Sequence, residues 1–170
     1  MLKKPEFKVG DRVVYPSHGV GEIVKIESQA IAGTTLEVYV ISFPNDKMTL
    51  RVPVSRASAS GLRTLATKKD VSIVYNILND KPQRGNKMWS RRAVEYETKI
   101  NSGQLEAVAE VIRDLYKNVD NDRSYSERTI YENALNRLAT EIAVLENIST
   151  TIASEKLVEM LKEKVAAAAV

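Results

Sequence analysis

The hydrophobic period of this chain changes once, between residues 53 and 68. Before the change, short β-branched and aromatic runs are separated by turn residues. After it, apolar residues recur at helical spacing. A period of two sends alternate side chains to opposite faces of a strand, whereas a period near 3.6 lines one face of a helix. The chain is therefore expected to be α+β with two domains: a small antiparallel β-barrel with its linker over 1–66, and an all-α bundle of about five helices over 67–170.

Phe7 to Pro16 begins with a Gly10-Asp11 turn and enters a β-branched run. Ser17-His18-Gly19-Val20-Gly21 reads as a second turn, in which glycines permit positive φ and close strand approach. Polar and apolar residues alternate over Glu22 to Glu27 after Ile23, as in a half-buried strand. Ile31-Ala32-Gly33-Thr34 reads as a hairpin turn, Thr35 to Phe43 as a strand and Pro44 to Lys47 as a turn. Met48 to Pro53 is the last clear strand. If its Met48, Leu50 and Val52 face a core, Thr49 and Arg51 face outward. The serines and Gly61 between Pro53 and Ala66 mark the expected domain boundary.

From Lys68, Val71, Val74, Ile77 and Leu78 define a first helix, which Pro82 and Gly85 bring to an end. A second runs to about Ile100, and a third buries Leu105, Val108, Ile112 and Leu115. Ser124-Tyr125-Ser126-Glu127 has capping-box spacing and opens a long fourth helix. Its expected stripe is Ile130, Ala134, Leu135, Leu138, Ile142 and Leu145. A fifth helix turns Leu157, Leu161 and Val165 inward.

The charge is uneven. Residues 1–66 carry 9 cations and 6 acids, 67–100 carry 8 and 4, and 101–170 carry 8 and 12. The excess concentrates between 81 and 92, where Lys81, Arg84, Lys87, Arg91 and Arg92 meet no acid and surround Trp89, the only tryptophan. This window lies at a loop-to-helix junction. Cations there meet phosphates, an indole stacks on or wedges against a base, and helix N-terminal amides attract anions. The same stretch also reads as a tryptophan anchoring a helix start in a core, with solvated cations beside it. Arg123 and Arg128, near the fourth helix start, add exposed cations or ordinary surface charge.

No catalytic constellation emerges, and an enzyme is not expected. There is no cysteine, and His18 is the only histidine, so the usual zinc set cannot be assembled; a Ser17–His18 pair is not expected, because neighbouring turn residues rarely present side chains to each other. Glu106 with Glu110, and Glu155 with Glu159, are spaced i, i+4 and read as solvated helix faces. No metal or cofactor is expected. Neither a membrane-spanning run nor a signal peptide is read, and the cytoplasm is the expected compartment.

Three stretches, in this order, resemble the CarD/CdnL family of bacterial transcription regulators. Val9-Gly10-Asp11-Arg12-Val13-Val14-Tyr15-Pro16-Ser17-His18-Gly19-Val20-Gly21 is similar to the family's opening, and Thr49-Leu50-Arg51-Val52-Pro53 to its last barrel strand. Trp89-Ser90-Arg91-Arg92, followed by Val108 to Leu115, is similar to its helical domain. The opening also resembles the polymerase-binding barrel of the transcription-repair coupling factor; the helical part separates the two.

The resemblance implies a Tudor-like barrel that binds the RNA polymerase β-subunit through Arg51, Thr49 and Gln29. It further implies that Trp89, Arg91, Arg92, Lys87 and Arg128 contact promoter DNA at the upstream edge of the bubble. There Trp89 acts as a minor-groove wedge that stabilises the open complex, including at ribosomal RNA promoters. Gln29 stands where the family often has arginine, and Val94 where it has a basic residue. A monomer is expected. The alternative is a polymerase-bound adaptor with no direct DNA role.

Overall fold

The computed structural model describes residues 7–83, 85, 87–116 and 125–168. The chain divides into two compact units, Met1–Leu65 and Ala66–Val170. The first holds β1 (Arg12–Tyr15), β2 (Gly19–Ile31), β3 (Thr34–Phe43), β4 (Met48–Pro53) and β5 (Arg63–Thr64). The second holds α1 (Lys68–Asn79), α2 (Trp89–Asn101), α3 (Leu105–Tyr116), α4 (Tyr125–Glu146) and α5 (Thr150–Ala168).

The strands form one antiparallel sheet in the order β4-β3-β2-β1-β5. The sequence predicts a small antiparallel barrel or a strongly bent sheet; the sheet is open, with β4 and β5 at its edges. The reason lies at its far edge: β5 has two residues, and its ladder consists of Val13↔Thr64 and Val14↔Arg63. Curvature comes from a bulge between Ile23 and Lys25 in the 13-residue β2. Val54, Ala57 and Leu62, from the segment after β4, are buried in the sheet core with Val13, Ile23 and Tyr39.

Two tight connections set the register. Ile31 pairs with Thr34 across Ala32 and Gly33, whose φ values are 51° and 79°. Positive φ at both central residues matches the right-handed twist of the flanking strands. The turn before β2 is shorter than the sequence reading gave it, because Gly19 already pairs with Tyr15 and Gly21 with Val13. At Gly21 a Cβ would lie 2.7 Å from both the Ile41 Cγ2 and the Phe43 Cε1. Packing excludes a side chain there.

In the helical unit, Thr67 and Asp70 form a reciprocal capping box that starts α1. The α3 face is buried as its spacing predicts, at Leu105, Val108, Ile112 and Leu115. On α4, Ile130, Ala134, Leu138 and Ile142 are buried, but Leu145 is exposed. Leu145 lies in the last turn of α4, where the end of the helix turns it to solvent. Val165 is also exposed. The neighbouring Lys164 turns its amine to the Leu78 carbonyl, and the next side chain points about 100° away. Ser124 and Arg123 lie outside the described residues. No helix among the described residues is long and apolar enough to cross a membrane.

The Glu141 side chain crosses this core to accept the Ala66 N–H at 2.8 Å, and Glu141 is 2% exposed. Glu141→Leu removes the acceptor and leaves a buried amide unpaired. The expected cost is about 1–3 kcal/mol, read as a lower denaturant midpoint at unchanged slope. An unchanged midpoint would show that the amide finds another acceptor.

Candidate nucleic-acid and polymerase interfaces

At the start of the basic junction between α1 and α2, backbone groups of Leu78, Asp80 and Gln83 are held by side chains of the helical unit. Lys164 of α5 donates to the carbonyls of Leu78 and Asp80, closing the end of α1. Burial, with Arg113 nearby, holds the Lys164 amine below its usual pKa, against the opposing pull of Asp80 and Asp114. Two residues past Lys81, the Gln83 N–H donates to Asp114 Oδ1 at 2.9 Å. The same oxygen accepts from Arg113 Nε at 2.9 Å, and both side chains are less than a tenth exposed. Lys81 and Lys87 are exposed, whereas Arg84 lies outside the described residues.

Trp89 is the first residue of α2. Met88 precedes it in extended conformation, with no side-chain cap and no acid in the first turn. The helix start therefore keeps its positive end unmatched by a carboxylate in that turn. The indole is half-buried and packs against the helical core. Its ring centroid lies 6.3 Å from that of Tyr96 and 5.2 Å from the Arg92 guanidinium carbon. Burial, joined by the Asp114 carboxylate, raises the Tyr96 phenol pKa, so the phenol stays neutral.

The paired arginines part company. Arg91 is exposed. Arg92 is half-buried and places Nη2 3.7 Å from Glu127 Oε1 on α4. This contact brings the first turns of α2 and α4 together, so exposed Arg128, next to Glu127, joins the same end of the unit. Met88, Val94 and Tyr125 add exposed apolar surface at these helix starts. The tryptophan's half-burial was readable: Trp89, Ala93, Tyr96 and Ile100 recur at helical spacing. The Arg92–Glu127 contact has no local sequence signal.

The other candidate surface is the outer face of the sheet. The β4 alternation is as the sequence gives it: Val52 is buried, Met48 and Leu50 pack against the core, and Thr49 and Arg51 are exposed. Lys25↔Val40↔Arg51 form one cross-strand row, and Glu22↔Ser42↔Thr49 another. Gln29 is on the same face two strands away, opposite Leu36. Arg51, Thr49 and Gln29 therefore share a face, with Gln29 only half-exposed.

Sequence reading missed Glu27 on that face. Its carboxylate lies 3.4 Å from Lys25 Nζ and 3.5 Å from Arg51 Nε. Desolvation alone would raise its pKa, but Lys25 and Arg51 together outweigh it and hold the pKa below the usual value. Elsewhere, His18 stacks on Tyr15, borders Phe43 and places Nδ1 3.6 Å from Asp46. It is a packed turn residue.

Two family descriptions match. The CarD-like/TRCF RID domain covers residues 7–66, and the CarD C-terminal domain covers residues 73–158. The chain is also similar to the Bacillus subtilis (strain 168) protein named "Putative transcription factor YdeB". The two are 28% identical over 144 residues, covering 84% of this chain and 94% of the relative. With the two domain types in this order along one polypeptide, the chain belongs to the CarD/CdnL family of transcription regulators.

Proposed function

We propose that this protein binds the β-subunit of RNA polymerase through the outer face of β2–β4 and stabilises the open promoter complex through its α2–α4 end. Arg51, Thr49 and Gln29 form the polymerase contact. Lys87, Arg91 and Arg128 meet phosphates at the upstream bubble edge, where Trp89 wedges against the opened step. The observation that carries this reading is Trp89 at a helix start with no side-chain cap and no acid in its first turn, flanked by exposed Lys87 and Arg91, with Gln83 upstream held by Asp114.

The mechanism is kinetic. Binding to polymerase gives the helical unit a high effective concentration near DNA, so little affinity for free DNA is needed. The wedge shifts the closed-to-open equilibrium only by its differential affinity for the two states.

The half-burial of Trp89 favours a second reading, a core anchor in an adaptor that never touches DNA. Salt separates the two. If Arg91 meets a phosphate, Arg91→Ala lowers by about one the salt slope of the protein's effect on open-complex lifetime. An effect indifferent to Arg91→Ala at every salt concentration would favour the adaptor.

A further inference from the structure

We propose that Arg92 is a positioning residue: tied to Glu127, its guanidinium holds the Trp89 indole in the orientation from which it meets DNA. The inference rests on the DNA-contact reading above and assigns Arg92 a role other than phosphate ligand. A phosphate-binding arginine keeps its fork of donors in water until the phosphate arrives. Arg92 does not. Its side chain is 29% exposed and that of its partner Glu127 16%. Nε is buried and has no hydrogen-bond partner among the described residues. One end nitrogen faces the Glu127 carboxylate at 3.7 Å, and the guanidinium carbon lies 5.2 Å from the indole centroid.

The stem is held as well. A Cβ on Gly85 would come within 3.3 Å of Arg92 Cδ, so the backbone at Gly85 lies close against this side chain. The arrangement needs a planar cation that can stack on the ring and pair with the carboxylate at once. A lysine ammonium is a compact point charge and cannot do both with the same geometry. Glu127 thus acts through Arg92, and Arg92 through Trp89.

Because Trp89 is the only tryptophan, the full chain reports on it directly by fluorescence. Arg92→Lys and Glu127→Gln are each expected to lower Trp89 anisotropy and increase acrylamide quenching in the free protein, with helical circular dichroism retained. Each is expected to shorten the open-complex lifetime by about two- to fivefold. In a Trp89→Ala background neither should shorten it further, whereas a general loss of stability or an independent phosphate contact would still add.

Unchanged Trp89 fluorescence in both variants would overturn the proposal. So would a longer lifetime with Glu127→Gln, the result expected if Arg92 were a phosphate ligand freed from an acid. If Trp89→Ala alone leaves the lifetime unchanged, the DNA-contact reading fails and takes the positioning role with it. If Trp89→Ala shortens the lifetime while the other two variants do not, the positioning role alone fails.

Discussion

Arg51→Glu is expected to give a folded protein that no longer binds RNA polymerase. Arg51 lies on the outer face of β4, and its side chain is 54% exposed, so the exchange leaves the core untouched. Val52 and Leu50 beneath it still face inward. Charge reversal at a buried contact in a complex costs about 2–5 kcal/mol, through the lost pair and the partner group left unmatched. That corresponds to a loss of roughly 30-fold or more in affinity.

The new carboxylate would also sit beside Glu27, which now pairs with both Arg51 and Lys25. A control therefore follows. Glu27→Gln removes the repulsion, so combining it with Arg51→Glu should restore sheet stability but not polymerase binding. Binding retained by Arg51→Glu would exclude Arg51 as the anchor. The Glu27 pairing also carries a pH sign. Its lowered pKa means that the pairing is fully present above the ordinary glutamate range and fades as pH falls through the lowered value.

Trp89→Ala is expected to bind polymerase normally and to lose most of the open-complex stabilisation. A stacking difference of about 1–2 kcal/mol between open and closed DNA corresponds to an enrichment of roughly 5- to 30-fold. The substitution also removes apolar contacts, because the ring packs against the helical core beside Tyr96. Some loss of thermal stability in the helical unit is therefore part of the expectation. Trp89→Leu separates the two effects: it refills apolar volume but lacks the flat ring. Under the wedge reading, Trp89→Leu regains stability without regaining lifetime. A core anchor would regain both.

Much of this arrangement was legible from local pattern. The period-two run Met48 to Val52 fixes which side Arg51 takes, and the spacing of Leu105, Val108, Ile112 and Leu115 fixes the buried face of α3. What was not legible depends on residues far apart in the chain. An edge strand as short as β5 has no periodicity, so the sheet's openness could not be read. The buried bond from Ala66 to Glu141 spans 75 positions and that from Gln83 to Asp114 spans 31. Neither leaves a trace in composition. Arg91 and Arg92 look alike in sequence, yet the helical step of about 100° sends one to solvent and the other to Glu127. Glu127 itself was read as half of a capping box whose Ser124 lies outside the described residues.

We propose that Trp89 acts on the DNA while the sheet holds the polymerase. The most direct test is the lifetime of competitor-challenged open complexes on a ribosomal RNA promoter. The wild-type protein and Trp89→Ala would be compared, each at a concentration that saturates polymerase binding. The expected result is a several-fold longer lifetime with the wild type and little or no gain with Trp89→Ala. An equal extension by both proteins would contradict the wedge and leave an adaptor bound to polymerase as the better account.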